Sequence, residues 1–131
     1  MSFMWSAINT AGSAADVDQT WIDAIGGNVA NMEDGVTPGK PVYQAQYVEA
    51  GEQANGEGVQ VNTIDLGPKQ GEIEYEPENP VANAQGEVEY PVVDLGSQLV
   101  DLEEAQASYQ ANAQVLSDAK TAYQSILDIK A

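Results

Sequence analysis

The chain contains no cysteine, no histidine and no arginine, and its 131 residues include only four lysines and one phenylalanine. Without cysteine there is neither a disulfide framework nor a thiolate nucleophile. Without histidine the usual general base at neutral pH and the commonest nitrogen ligand for zinc are missing too. The four cations face 21 Asp plus Glu, leaving a formal net charge of -17. A surface of that sign repels phosphate backbones and anionic lipid, which argues against nucleic-acid and membrane-surface binding. It also repels copies of itself, and salt limits that repulsion to about 8 Å at physiological ionic strength. No stretch approaches the ~18 apolar residues of a membrane span, so direct membrane insertion is not expected. Met1 to Ser6 offer no basic segment followed by a sustained apolar one, so a cleaved secretory signal is not expected either.

What the chain does have is a seven-residue apolar repeat at each end. Residues 8–32 carry the rows Ile8, Ala15, Ile22, Val29 and Ala11, Asp18, Ile25, Met32. Residues 95–130 carry Leu95, Leu102, Tyr109, Leu116, Tyr123 and Leu99, Gln106, Ala113, Lys120, Leu127. Apolar residues spaced alternately four and three apart form one stripe along a helix, of the kind a partner helix covers. A first helix is expected from Ser6 to Asn31, ending before the turn-forming Asp34-Gly35 and Pro38-Gly39; a second is expected from about Asp94 almost to the end. Between them the period switches to two, around Tyr43–Tyr47, Val59–Val61, Ile73–Tyr75 and Val88–Val92, with loops at 51–58, 67–71 and 77–86. The expected fold is α+β: long N- and C-terminal helices forming a coiled-coil-like pair, with a small β-rich segment inserted. The corresponding division is an N-terminal axial helix (1–34), a β-rich middle (35–92) and a C-terminal axial helix (93–131) that pairs with the first.

Little in the sequence could carry catalysis. Ser117 and Lys120 lie one turn apart, an ordinary helix-surface pairing, and no nucleophile-elbow, Walker, dinucleotide or EF-hand spacing occurs. Glu72, Glu74 and Glu76 could face a hard cation, but period two puts them on one strand face opposite Ile73 and Tyr75, the face expected to meet solvent. Asp16 with Asp18 and Glu103 with Glu104 read as hydrated pairs. No catalytic, cofactor-binding or metal-ligating residue is therefore expected. Trp5, with Phe3 and Met4, precedes the first heptad and suits either a neighbouring subunit or the chain's own C-terminal helix.

Three segments carry a family likeness. The first is Ile8-Asn9-Thr10-Ala11-Gly12-Ser13-Ala14 with Gly27-Asn28-Val29-Ala30-Asn31; the second is Tyr75-Glu76-Pro77-Glu78-Asn79-Pro80 running on to Gly86, then Val88 to Asp94. The third is Ala107-Ser108-Tyr109-Gln110-Ala111-Asn112, continuing through Gln114-Val115-Leu116. In these segments, which occur in order along nearly the whole chain, the sequence resembles the bacterial flagellar basal-body rod proteins, and among them the proximal-rod members. The basic residues usual in that family's helices are absent, with Asp16, Asp18, Asp23, Glu103 and Glu104 making both helices acidic. The resemblance implies a structural subunit of the periplasmic rod, assembling helically and transmitting torque toward the distal rod and hook. It implies export through the flagellar type III pathway, no cofactor, and contacts with further copies of itself, other rod proteins and the adjoining rotor-base and export-gate proteins. The residues expected to form the assembly interface are Ile8, Ala15, Ile22, Ile25, Val29, Leu95, Leu99, Leu102, Tyr109, Leu116, Tyr123 and Leu127. The motif positions are Asn28, Asn31, Tyr75, Pro77, Asn79, Pro80, Ser108, Tyr109, Gln110 and Asn112. Another axial protein of the rod or hook type shares part of this pattern. An acidic inhibitor that mimics a polyanion is the alternative from a different class.

Overall fold

The computed structural model describes residues 2–130. Two helices, α1 (Ser2–Asn31) and α2 (Leu95–Lys130), enclose four strands in sequence: β1 (Gln46–Glu52), β2 (Val59–Leu66), β3 (Glu72–Tyr75) and β4 (Glu87–Tyr90). At about 1.5 Å per residue the helices run roughly 45 and 54 Å. They lie antiparallel, as the contacts along them require. Trp5 near the start of α1 meets Tyr123 near the end of α2, with ring centroids 5.9 Å apart. Asp18 in mid-α1 meets Ser108 and Asn112, and Asn28 near the end of α1 meets Gln98 in the first turn of α2. This is the α+β helical pair with a β insertion that the heptads and the change of period implied.

Local chemistry sets the helix limits. After Asn31 the chain turns, with the Asp34 amide donating to the Asn31 carbonyl at 3.1 Å. Gly35 then passes so close to β4 that a Cβ there would stand 2.7 Å from the Val88 side chain. Asp94 caps α2: its carboxylate accepts from the Gly96 amide at 3.0 Å and its carbonyl from the Gln98 amide at 3.0 Å, satisfying donors a helix N-terminus leaves orphaned.

The strands form two separate antiparallel hairpins, β1–β2 and β3–β4. In the first, Gln46 pairs with Leu66 and Glu52 with Val59, with a register shift between Glu49 and Ala50. In the second, Glu72 pairs with Tyr90 and Tyr75 with Glu87. The β1–β2 hairpin lies against α1, whereas among the described elements β3 and β4 lie against neither helix. The chain after α1 joins β4 through a single bridge, Val36 to Glu89.

Two expectations from period two are corrected. Pairing begins at Gln46 rather than Tyr43, and the Tyr43 hydroxyl donates to Asn28 of α1. On β3 neither face is covered: Ile73 is 50 % and Tyr75 74 % exposed. A two-stranded ribbon needs a further layer to bury an apolar face, and here the chain supplies none over β3.

The core is correspondingly thin. The buried apolar residues are Ala11, Ala24, Ile25, Val42, Ala45, Val88 and Ala105, four of them alanines, so close backbone approach rather than bulk fills the helical seam. The accessible surface is 8522 Å², against the roughly 6700 Å² expected for a compact monomer of this mass.

Candidate assembly surface

The inner seam holds the helices in register with polar side chains as well as apolar ones. Asn28 is fully buried and uses its whole amide. Its Nδ2 donates to the Gln46 carbonyl and to Gln98 Oε1, each at 2.9 Å. Its Oδ1 accepts from the Tyr43 hydroxyl and the Gln46 amide, each at 2.8 Å. One side chain thus ties the end of α1 to the start of β1 and to α2. Burial of Tyr43 raises its pKa above the ordinary phenol value.

A third of the helix away, Asp18 is buried in the seam. Its Oδ2 accepts from the Ser108 hydroxyl at 2.8 Å and from Asn112 Nδ2 at 3.0 Å. An acid at a heptad position, which reads in sequence as an interruption, is therefore matched by two donors one turn apart on α2. Buried polar contacts of this kind fix register and partner orientation. Gln98, Ala105, Asn112 and Ala119 form the α2 row facing α1, with Gln98 and Ala105 fully covered. Of the two rows read from sequence, that of Leu99, Gln106, Ala113, Lys120 and Leu127 lies one position further round and is exposed throughout, while Leu102, Leu116 and Tyr123 of the other are partly covered. Small and polar residues make the true inner row, and hydropathy alone favours its leucine-bearing neighbour.

The remaining motif positions build a hydrogen-bonded loop between β3 and β4. Asn79 Nδ2 donates to Glu76 Oε2 at 3.0 Å, and Asn79 Oδ1 accepts from the Val81 amide at 3.0 Å. Asn83 Oδ1 accepts from the Gln85 and Glu87 amides. Gly86 closes the loop at φ 76°, where a Cβ would also stand 2.9 Å from the Tyr75 ring. The Tyr90 hydroxyl donates to Glu76 Oε2 at 2.5 Å. That bond to an anion, with burial and the charges of Glu76 and Glu74, raises the Tyr90 pKa. Asn31 Nδ2 donates to the Gly27 carbonyl at 2.8 Å and closes the last turn of α1. Tyr75, Pro77, Pro80, Tyr109 and Gln110 are exposed.

The residues expected at the assembly interface fall into three groups. Ile25, at 2 % exposure, is covered inside the chain. Ile8, Ala15, Ile22, Val29, Leu102, Leu116 and Tyr123 flank the inner seam and are partly covered. Leu95, Leu99, Tyr109 and Leu127 face outward at 42, 51, 39 and 48 % exposure. Val100, at 63 %, extends the outward patch beside Leu95 and Leu99. At the other end of the pair, Phe3 (89 %) and Ile129 (85 %) are also uncovered, while Trp5 is half covered by its contact with Tyr123. Among the described residues no group of three or more Asp and Glu is placed to hold a metal ion. No described helix is long and apolar enough to cross a membrane.

Known proteins share this arrangement of sequence. The family model described as flagellar basal body rod FlgEFG protein C-terminal matches residues 84–129, which cover the β4 hairpin strand and α2. The flagellar basal-body rod protein FlgC of Agrobacterium fabrum is 33 % identical over 129 residues, covering 95 % of this chain and 93 % of its own length. The chain belongs to the family of flagellar basal-body rod proteins. FlgC of Salmonella typhimurium is 34 % identical over 116 residues, covering 85 % of this chain and 86 % of its own. FlgC of Bacillus subtilis is 28 % identical over 145 residues, covering 94 % of this chain and 95 % of its own. The matches span helices and insertion alike, so the likeness belongs to the whole architecture. They do not favour the polyanion mimic, whose hallmark is charge on a face and not a likeness running along the whole chain.

Proposed function

We propose that this family member is a non-catalytic structural subunit of the flagellar rod, built into a helical tube through its terminal helices and transmitting torque to the distal rod and hook. The observation that carries this reading is the excess of surface, 8522 Å² against roughly 6700 Å² for a compact monomer. The difference is about twice the roughly 800 Å² that each partner buries in a specific protein interface. Its apolar part lies where neighbours would pack: Leu95, Leu99 and Val100 on the outward face of α2, and Phe3 and Ile129 at the far end of the pair. In this reading the subunit reaches the periplasmic rod by flagellar export. Its neighbours are copies of itself, other rod proteins and the adjoining rotor base and export gate.

Leu99→Asp tests the reading. In the free chain Leu99 is half exposed, so the variant is expected to fold with stability within about 0.5 kcal/mol of the parent. In the rod the carboxylate would be desolvated without a partner, a penalty of several kcal/mol. The expected result is a folded, exported subunit and no motility. Normal swimming would refute coverage of this face.

A further inference from the structure

Strand β3 separates two grooves of unlike charge. On one side Lys40 and Lys69, from the loops before β1 and after β2, line an open groove of about 590 Å³ together with Ile73, Gly71 and Glu89. Two of the chain's four lysines therefore line one groove. The acid in this groove, Glu89, is buried and accepts from the Gly71 amide at 2.7 Å, so its charge is held inward. On the other side Glu72, Glu74 and Glu76 line a second groove, joined by Glu33 and Tyr90. Strand alternation produces the split: odd and even residues of β3 face opposite ways. Both faces are uncovered, with all four residues of β3 exposed.

We propose that these grooves are the two halves of one contact, in which the Lys40/Lys69 groove of one copy of this chain receives the Glu72/Glu74 face of the next. Charge complementarity selects the occupant. Within a chain of net charge -17 the lysine groove is where an acidic surface is locally attracted, and the Glu row is the acidic surface on the reverse of the same strand. Because donor and acceptor faces differ, the contact is heterologous. Repeated without closure, it generates an open helix rather than a two-fold dimer, the symmetry a rod requires. Local attraction of this kind sets orientation and register more than it adds affinity, and it offsets long-range repulsion at the point of closest approach. The inference rests on the proposed reading that copies of this chain assemble in the rod.

The experiment uses the full chain as the sole copy in a motile host, and begins by detecting it in isolated basal bodies; its absence there would sink the rod reading itself. The parent lacks cysteine, so Lys69→Cys with Glu74→Cys places one thiol on each face. A short bismaleimide applied to these rods is expected to give a ladder of multimers, and neither cysteine alone should give dimers. Dimers from Lys69→Cys alone would mean that like faces meet and would overturn the proposal, as would monomer only from the double variant. A charge swap supplies the second arm. Lys40→Glu with Lys69→Glu should lower rod yield roughly tenfold, allowing for two surface pairs lost and made repulsive. Adding Glu72→Lys and Glu74→Lys should restore it, although the net charge is then again -17. No restoration counts against the contact, and the cross-link decides if the two arms disagree.

Discussion

At the scale of single residues, polar groups do the specifying in a core too small to specify by shape. Asn28 satisfies all four of its hydrogen-bonding positions while fully buried. Removing its amide strands the Gln46 backbone, the Tyr43 hydroxyl and Gln98 together. Asn28→Ala is expected to cost about 2–4 kcal/mol, by urea unfolding of the free chain, since each buried polar group left unpaired costs roughly 1–3 kcal/mol. A loss below about 0.5 kcal/mol would mean that water replaces the amide at no penalty. The two hydrogen-bonded tyrosines make a pH prediction. Tyr90, through its bond to Glu76, and Tyr43, through burial, have folded-state pKa values above the phenol's ordinary value of about 10. A raised folded pKa contributes stability that is fully present below the unfolded pKa and lost as pH rises through the folded one. Stability should therefore be insensitive to these groups at neutral pH and fall above about pH 10. Ultraviolet titration should show two phenols ionising later than the rest, and Tyr90→Phe should remove one of them.

At the scale of elements, the register of α2 against α1 is the sharpest point to test. Ala105 has no exposed surface, and a larger side chain must push the helices apart. Ala105→Leu is expected to cost about 1–3 kcal/mol, whereas Ala113→Leu, on the exposed neighbouring row, should fall within about 0.5 kcal/mol of the parent. Thermal unfolding of the two variants separates the registers, and the reverse order would restore the row suggested by hydropathy. The sequence contrast behind this is instructive. Both helices, their pairing and the existence of a β-rich segment between them were legible from periods of seven and two, because those periods are imposed by backbone geometry. The α1 row of Ala11, Asp18 and Ile25 was legible as a row and is the buried one. Asp18 itself was expected to be hydrated beside Asp16 and is instead buried, because Ser108 and Asn112 of α2 supply the donors that water would have supplied. The α2 row was not legible, since Gln98, Ala105 and Asn112 carry little hydropathy and declare themselves only through Asn28 and Asp18 on the other helix. Nor was the bareness of β3, because alternation says which residues share a face but not whether anything covers it. Of the candidate surface, the outward leucines were legible as apolar positions, and their orientation required the helix rotation that the polar contacts set.

At the scale of the whole molecule, the chain is an extended pair of helices with two light ribbons attached, strongly acidic overall and short of interior. Among the described residues seven buried apolar side chains give little cohesion, and a net charge of -17 opposes the approach of further copies. Neither feature suits a protein that works alone. Both are tolerable in a subunit whose neighbours cover its outward faces and whose long-range repulsion is screened within about 8 Å. The central claim is that the outward face of α2 is covered in the rod and bare in the free chain. Because the chain has no cysteine, Leu99→Cys provides a single thiol on that face, and its rate of reaction with a maleimide can be compared between the purified chain and isolated basal bodies. The account predicts rapid labelling of the free chain and at least tenfold slower labelling in the rod; equal rates, with the variant present in motile rods, would contradict it.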